Sequence, residues 1–247
     1  MIQQKSLIIG GAAGIGRQIT YDLSARGDEV IIADMNEQLG NQLVIDLTEK
    51  GHKASFYHID VSSWEKTQAC INQIISDHKR IDVLVHSAGI TQLIKFDDLN
   101  FASWKKTLQV NLSGSFYAIK AIAPTMIQQN YGKIVMIGSG SAYTGSGGGV
   151  HYATSKGGAF GLMRALVREL SHYNININIV APRTIASEML NKLYKTEEEF
   201  EALVKQIPLR RLGTLQDISD ATVFLASKEA GFVQGQVLLC DGGRTYS

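Results

Sequence analysis

The chain has 247 residues, 45% of them hydrophobic and 19% charged, which predicts a soluble globular protein with one sizeable core. Lys and Arg number 24 against 23 Asp and Glu, so no basic surplus points to nucleic acid and no acidic tail is present; a small-molecule partner is expected. The two cysteines, Cys70 and Cys240, have neither close pairing nor metal-ligand spacing, so two reduced, partly buried thiols are expected, with no metal site. The first apolar run is too short for a signal or a membrane span, and a cytoplasmic location is expected.

Short β-branched runs alternate with longer amphipathic segments along the chain, the rhythm of an α/β protein. The first strand is expected at Ser6 to Ile9. Directly after it, Gly10-Gly11-Ala12-Ala13-Gly14-Ile15-Gly16 opens a helix running from Gly14 to Ala25, stopped by Gly27. Small residues there allow a pyrophosphate to approach the backbone, and the helix N-terminus offers oriented N–H groups. A second strand, Glu29 to Ala33, leads to Asp34, eighteen residues past Gly16. A carboxylate there can accept hydrogen bonds from ribose hydroxyls and would repel a 2′-phosphate, which favours NAD over NADP. No Arg or Lys lies at positions 11 to 15; Arg17 is close enough to keep NADP as the minor alternative.

A helix over Asn36 to Lys50, ended by Gly51, precedes a third strand at Ala54 to Ile59. Asp60 and Val61 follow, positioned either to flank an adenine ring or, for the aspartate, to cap a turn. Ser62 or Ser63 can cap the next helix, Trp64 to His78. A fourth strand is expected at Val83 to His86, a long helix at Phe101 to Gln129, and a fifth strand at Lys133 to Ile137. The glycine-rich stretch Gly138 to Gly149 lies between strand and helix and reads as an active-site loop. Then come a helix over Tyr152 to Tyr173, a sixth strand at Asn176 to Val180, a helix at Asp217 to Ser227 and a seventh strand at Gln236 to Leu239. Most of these strands are continuous apolar runs, as expected when helices cover both faces of a parallel sheet. Residues 184–207 break the rhythm and are expected to form a lid inserted over the cleft of a single domain spanning 1–247.

Tyr152 and Lys156 share a helix face at i and i+4, so a phenol and an ammonium can point into one cleft. A cation near a phenol favours the phenolate and makes it a usable base. Ser139 stands thirteen residues before the tyrosine, with Ser141 as a rival. Tyr143, His151 and Met189 are candidates for the substrate border, each with ordinary packing as the alternative; His151 points to another helix face than Tyr152.

These residues in this order resemble the short-chain dehydrogenase/reductase family over essentially the whole chain. The family's TGxxxGxG turn is matched by Ile9 to Gly16, its NNAG by His86-Ser87-Ala88-Gly89, its helix asparagine by Asn111, its serine by Ser139, and its YxxxK by Tyr152 and Lys156. The resemblance implies a Rossmann-like, doubly wound parallel sheet of about seven strands. It implies an oxidoreductase that moves a hydride between a nicotinamide and a secondary alcohol or ketone. Tyr152 would be the acid/base, Ser139 would bond the reacting oxygen, and Lys156 would lower the tyrosine pKa and hold the nicotinamide ribose. Asn111 would carry a water that relays protons from Lys156. Gly10, Gly14, Ile15, Gly16, Asp34, Asp60, Val61, Ser87, Ala88, Gly89, Pro182, Ile185 and Ser187 would border the dinucleotide, and a homotetramer is implied. Departures are Ile9 for threonine, His86-Ser87 for two asparagines, and Arg183 for the glycine after Pro182. A 3-oxoacyl-thioester reductase using NADPH and a non-catalytic dinucleotide-binding regulator are the competing readings.

Overall fold

The computed structural model describes residues 3–186, 190 and 196–246. In chain order the elements are β1 (Lys5–Ile9), α1 (Gly14–Ala25), β2 (Glu29–Asp34), α2 (Glu37–Glu49), β3 (Ala54–His58), α3 (Trp64–His78) and β4 (Val83–His86). They continue with α4 (Phe101–Leu108), a π-helical turn (Gln109–Ser113), α5 (Gly114–Gln129), β5 (Gly132–Ile137), α6 (Ser141–Thr144) and α7 (Gly149–Leu170). The remainder is β6 (Ile175–Pro182), α8 (Glu197–Lys205), α9 (Leu215–Leu225) and β7 (Val237–Cys240).

The seven strands form one sheet in the order β3-β2-β1-β4-β5-β6-β7, and every neighbouring pair is parallel. Successive side chains of a strand point to opposite faces, and here both faces are buried. Leu7 and Ile9 enter the layer built by α3, α5 and α7, whereas Ile8 enters the layer of α1, α2 and α9. The same alternation runs through Val83, Leu84 and Val85 and through Ile134, Val135 and Met136. A strand sandwiched in this way has no polar side, which is why the sequence runs apolar without a period of two. Strand order reverses between β1 and β4, and the carboxyl ends of those strands open a crevice at that switch point.

The expected strands and helices are all present, with three instructive differences. The helix expected over Phe101 to Gln129 is interrupted: the Gly114 N–H bonds to the Gln109 carbonyl, five residues back, and makes a π turn. Residues 141–144, inside the expected loop, close one short helix that ends at Gly145 with φ 68°. The helix expected from Tyr152 begins at Gly149, because Gly148 at φ 84° makes the reversal just before it. Ser63 rather than Ser62 caps α3, accepting from the Lys66 N–H. Both cysteines are free and half-buried, and burial pushes each thiol up to about 11.

Candidate active site

The glycine turn between β1 and α1 is packed too tightly for side chains. A Cβ on Gly10 would lie 2.5 Å from the Ala88 nitrogen, and one on Gly16 would lie 1.9 Å from the Gly10 carbonyl oxygen. Gly14 differs: its φ is 52° and nothing lies within 4 Å of the same position, so its surface is open to the crevice. The N-termini of α2, α3, α4, α8 and α9 are capped by the side chains of Asn36, Ser63, Asn100, Thr196 and Thr214. Helix α1 instead starts after Ala13, with no side-chain cap and no acid in its first turn. Its leading N–H groups and partial positive charge fit a pyrophosphate. Gly16→Ala is expected to cost about 2–4 kcal/mol, because backbone rather than a flexible side chain must move. Thermal denaturation should show that loss together with weakened dinucleotide binding.

Asp34 ends β2 beside this turn. Its Oδ2 accepts from the Ala12 N–H at 3.1 Å and its Oδ1 from the Asn36 N–H at 3.0 Å. The carboxylate is therefore fixed, and each oxygen keeps lone-pair capacity for a ribose hydroxyl. Arg17 turns elsewhere, with its guanidinium 3.1 Å from the Tyr21 hydroxyl and 3.9 Å from Asp46. On the other side of the crevice, the Ser87 and Ala88 N–H groups bond to the Ile9 carbonyl at 2.8 and 3.1 Å. That backbone pair braces the turn where Ile9 lacks a hydroxyl.

The π turn places Asn111. Its side chain is buried and pairs with the backbone of Ile90 in both directions, accepting from the N–H at 2.8 Å and donating to the carbonyl at 2.9 Å. It also donates to Ser155 Oγ at 3.1 Å, and Ser155 in turn donates to the Tyr152 carbonyl at 2.7 Å. One side chain thus ties the loop after β4 to the first turns of α7. A Cβ on Gly89 would sit 3.3 Å from Asn111 Oδ1 and 3.5 Å from Lys156 Nζ, so Gly89 keeps these groups close.

Lys156 is buried, and its Nζ donates to the Ile137 carbonyl at 2.8 Å and lies 5.9 Å from the centre of the Tyr152 ring. Burial lowers its pKa from 10.5 to about 8. Tyr152 moves the other way: burial raises the phenol, opposed by the hydrogen-bonding hydroxyl of Ser139. Desolvation therefore outweighs the lowering that the sequence suggests, and the direction runs opposite to the depressed phenol expected there. Ser139 itself sits between Gly138 and Gly140, whose N–H groups bond to the Val180 and Pro182 carbonyls at 2.7 and 2.9 Å. A phenol, a hydroxyl and a buried ammonium on one cleft wall can exchange a proton with a bound oxygen and stabilise the charge that develops there.

A family model described as enoyl-(acyl carrier protein) reductase matches residues 10–245. The chain is 32% identical to a 3-oxoacyl-[acyl-carrier-protein] reductase of Chlamydia pneumoniae, covering 100% of this chain and 98% of that protein. It is 33% identical to a cyclopentanol dehydrogenase of Comamonas testosteroni, covering 97% and 96%. The chain belongs to the short-chain dehydrogenase/reductase family. A solved gluconate 5-dehydrogenase from Burkholderia cenocepacia, in complex with NADP and tartrate, superimposes with a TM-score of 0.95 at 30% identity, covering 100% of this chain and 97% of that one. As a short-chain dehydrogenase/reductase, the protein is an NAD(P)-dependent oxidoreductase acting on CH–OH groups and the corresponding ketones.

The other residues of this short-chain dehydrogenase/reductase fall into place unevenly. Asp60 organises the turn before α3: Oδ1 accepts from the Ser62 N–H and hydroxyl at 3.1 and 2.6 Å, and Oδ2 from Lys66 at 3.1 Å. The turn-capping alternative for its side chain is thereby the one observed. Val61 is buried against Gly114. Pro182 ends β6; Arg183 packs its stem on Gly140 and donates to Ser146 and Thr245 at 3.0 and 3.1 Å. Ile185 is buried and bridges to Gly213. Ser141 donates its backbone N–H to Ser139 Oγ at 3.1 Å. Tyr143 is partly exposed against Phe160 and Tyr246. His151 is fully buried, and neither ring nitrogen has a partner among the described residues. Ser187 and Met189 lie outside the described residues. Sequence reasoning treated His86 only as a departure from the family pattern. The imidazole of His86 lies beneath the π turn, and the Thr91 hydroxyl and the Tyr152 ring edge both come within 3 Å of one point beside Gly148. The replacement of an expected asparagine was the available signal for His86.

No helix among the described residues is long and apolar enough to cross a membrane, and no cluster of His, Cys, Asp or Glu among them is arranged to hold a metal ion.

Proposed function

We propose that this chain is an NAD-preferring dehydrogenase interconverting a secondary alcohol and its ketone, with Tyr152 as the acid/base. The observation that carries this reading is the buried Lys156 one helical turn from Tyr152, its ammonium 5.9 Å from the centre of the phenol ring. The dinucleotide supplies the hydride acceptor or donor when bound. Gly10, Gly14, Ile15 and Gly16, the α1 N-terminus, Asp34 and the Ser87 to Gly89 backbone would hold it, and Pro182 and Ile185 would border its nicotinamide end. Tyr152 exchanges a proton with the substrate oxygen while Ser139 donates a hydrogen bond to that oxygen. Two Lys156 N–H groups, beyond the one given to Ile137, are available to ribose hydroxyls. Asn111 fixes the start of α7 and lines the route by which Lys156 recovers a proton. Residues 184–207, including α8 with its Thr196 and Glu199 capping box, act as the lid in a single domain that assembles as a homotetramer.

The preference for NAD rests on Asp34, whose carboxylate, held by the Ala12 and Asn36 N–H groups, would accept from the adenosine ribose hydroxyls, and on Arg17 being engaged with Tyr21. Initial rates on a panel of secondary alcohols and ketones, followed by nicotinamide absorbance, should favour NAD over NADP by about tenfold or more in kcat/KM, equivalent to about 1.4 kcal/mol. A strong preference for NADP would overturn this part of the reading. A 3-oxoacyl-thioester reductase using NADPH is the second reading, favoured by similarity to the 3-oxoacyl-[acyl-carrier-protein] reductase of Chlamydia pneumoniae. Turnover of a 3-oxoacyl thioester with NADPH well above every simple ketone would select it.

A further inference from the structure

We propose that His86, which stands where the family has asparagine, is a positioning residue that sets the Asn111 turn and, through it, the proton-transfer groups of the proposed function. His86 ends β4 with its ring on the α5 and α7 side of the sheet, the side shared by Leu84. It is 2% exposed, and its Nδ1 lies 3.3 Å from Ser115 Oγ. Ser115 Oγ donates its one proton to the Asn111 carbonyl at 3.0 Å. The bond with His86 must then run from Nδ1–H to Oγ, which fixes the tautomer and leaves Nε2 as a lone-pair acceptor. A chain of two hydrogen bonds therefore connects the floor of the sheet to the carbonyl of the residue at the centre of the π turn.

Charge state supports the same assignment. Burial, with the Lys156 ammonium as the charge acting on the ring, pushes His86 down to about 3, so the imidazole is neutral at working pH. Nε2 is buried and has no partner among the described residues. An acceptor left in this state is costly unless it serves the groups around it. The ring therefore acts on the Asn111 carbonyl through Nδ1 and Ser115, without itself touching substrate.

The two ring nitrogens can be tested separately. His86→Asn keeps a donor near the Nδ1 position, His86→Leu removes both polar atoms at similar bulk, and Ser115→Ala cuts the link while leaving the imidazole. His86→Leu and Ser115→Ala are expected to lower kcat by about tenfold, with dinucleotide dissociation constants within about twofold of wild type; His86→Asn is expected to restore kcat to within about threefold. A split between kcat and dinucleotide affinity is what a purely structural role would not produce. The proposal is overturned if His86→Leu keeps wild-type kcat, if His86→Asn is as impaired as His86→Leu, or if kcat, affinity and melting temperature fall together. It depends on the proposed acid/base role of Tyr152, yet the two fail differently: an active Tyr152→Phe variant would overturn that role whatever His86 does.

Discussion

Replacing Tyr152 by Phe is expected to lower kcat/KM by about 10²–10⁴-fold on every alcohol or ketone the wild-type enzyme turns over, the range a positioned general acid/base contributes. Dinucleotide affinity should stay within about threefold, because the phenol hydroxyl is asked to move a proton and not to supply most of the binding. The substitution keeps the ring that packs beside Gly148 and the helix that carries it. It also deletes a buried hydroxyl that burial already disfavours as phenolate. Folding should therefore survive, and titration of dinucleotide fluorescence beside initial-rate kinetics separates lost chemistry from lost binding.

Lys156→Met should produce a protein that is inactive yet more stable when no dinucleotide is bound. A lysine whose pKa falls from 10.5 to about 8 on folding costs about 3 kcal/mol at pH 7, at about 1.36 kcal/mol per unit. Methionine fills similar space without that charge, and the Ile137 carbonyl left without its donor gives back about 1 kcal/mol. The net gain of about 2 kcal/mol corresponds to a melting temperature higher by about 4–8 °C for a chain of this size. Between pH 8 and 10.5 the unfolded lysine holds a proton that the folded one has released, so wild-type stability rises with pH through that window. Below pH 8 the penalty is complete, and above 10.5 it is gone. The stability difference between the two proteins should accordingly shrink from pH 7 to pH 9.5 in thermal denaturation. Activity should fall by about 10²–10⁴-fold, a cost that explains why a destabilising lysine occupies the site.

The sheet and most helix positions could be read from the sequence because they depend on local pattern. Apolar runs such as Val83 to His86 and Lys133 to Ile137 have one structural solution when helices cover both faces. Glycines at 10 and 16 announce a close approach that the structure measures directly. The π turn was not legible, since the side chain at its centre, Asn111, is held by a tertiary pairing with Ile90, twenty-one residues away. Periodicity sees only one long helix there. The burial of His86 and His151 was equally opaque, because burial of a polar ring is a tertiary property: the His86 ring meets Ser115 of α5, twenty-nine residues away in the chain. The sign of the Tyr152 shift also lay beyond the sequence. An i, i+4 cation suggests a lowered pKa, yet burial of the phenol, a tertiary property, decides its direction.

The most direct test of the Tyr152-centred account is a single-turnover measurement of nicotinamide absorbance, with enzyme in excess and the best alcohol–ketone pair from the substrate panel. Wild type should show a rapid change equal to one hydride per substrate, and Tyr152→Phe with dinucleotide fully bound should show that change slowed by about 10²-fold or more. A phenylalanine variant that transfers hydride at the wild-type rate would contradict the account.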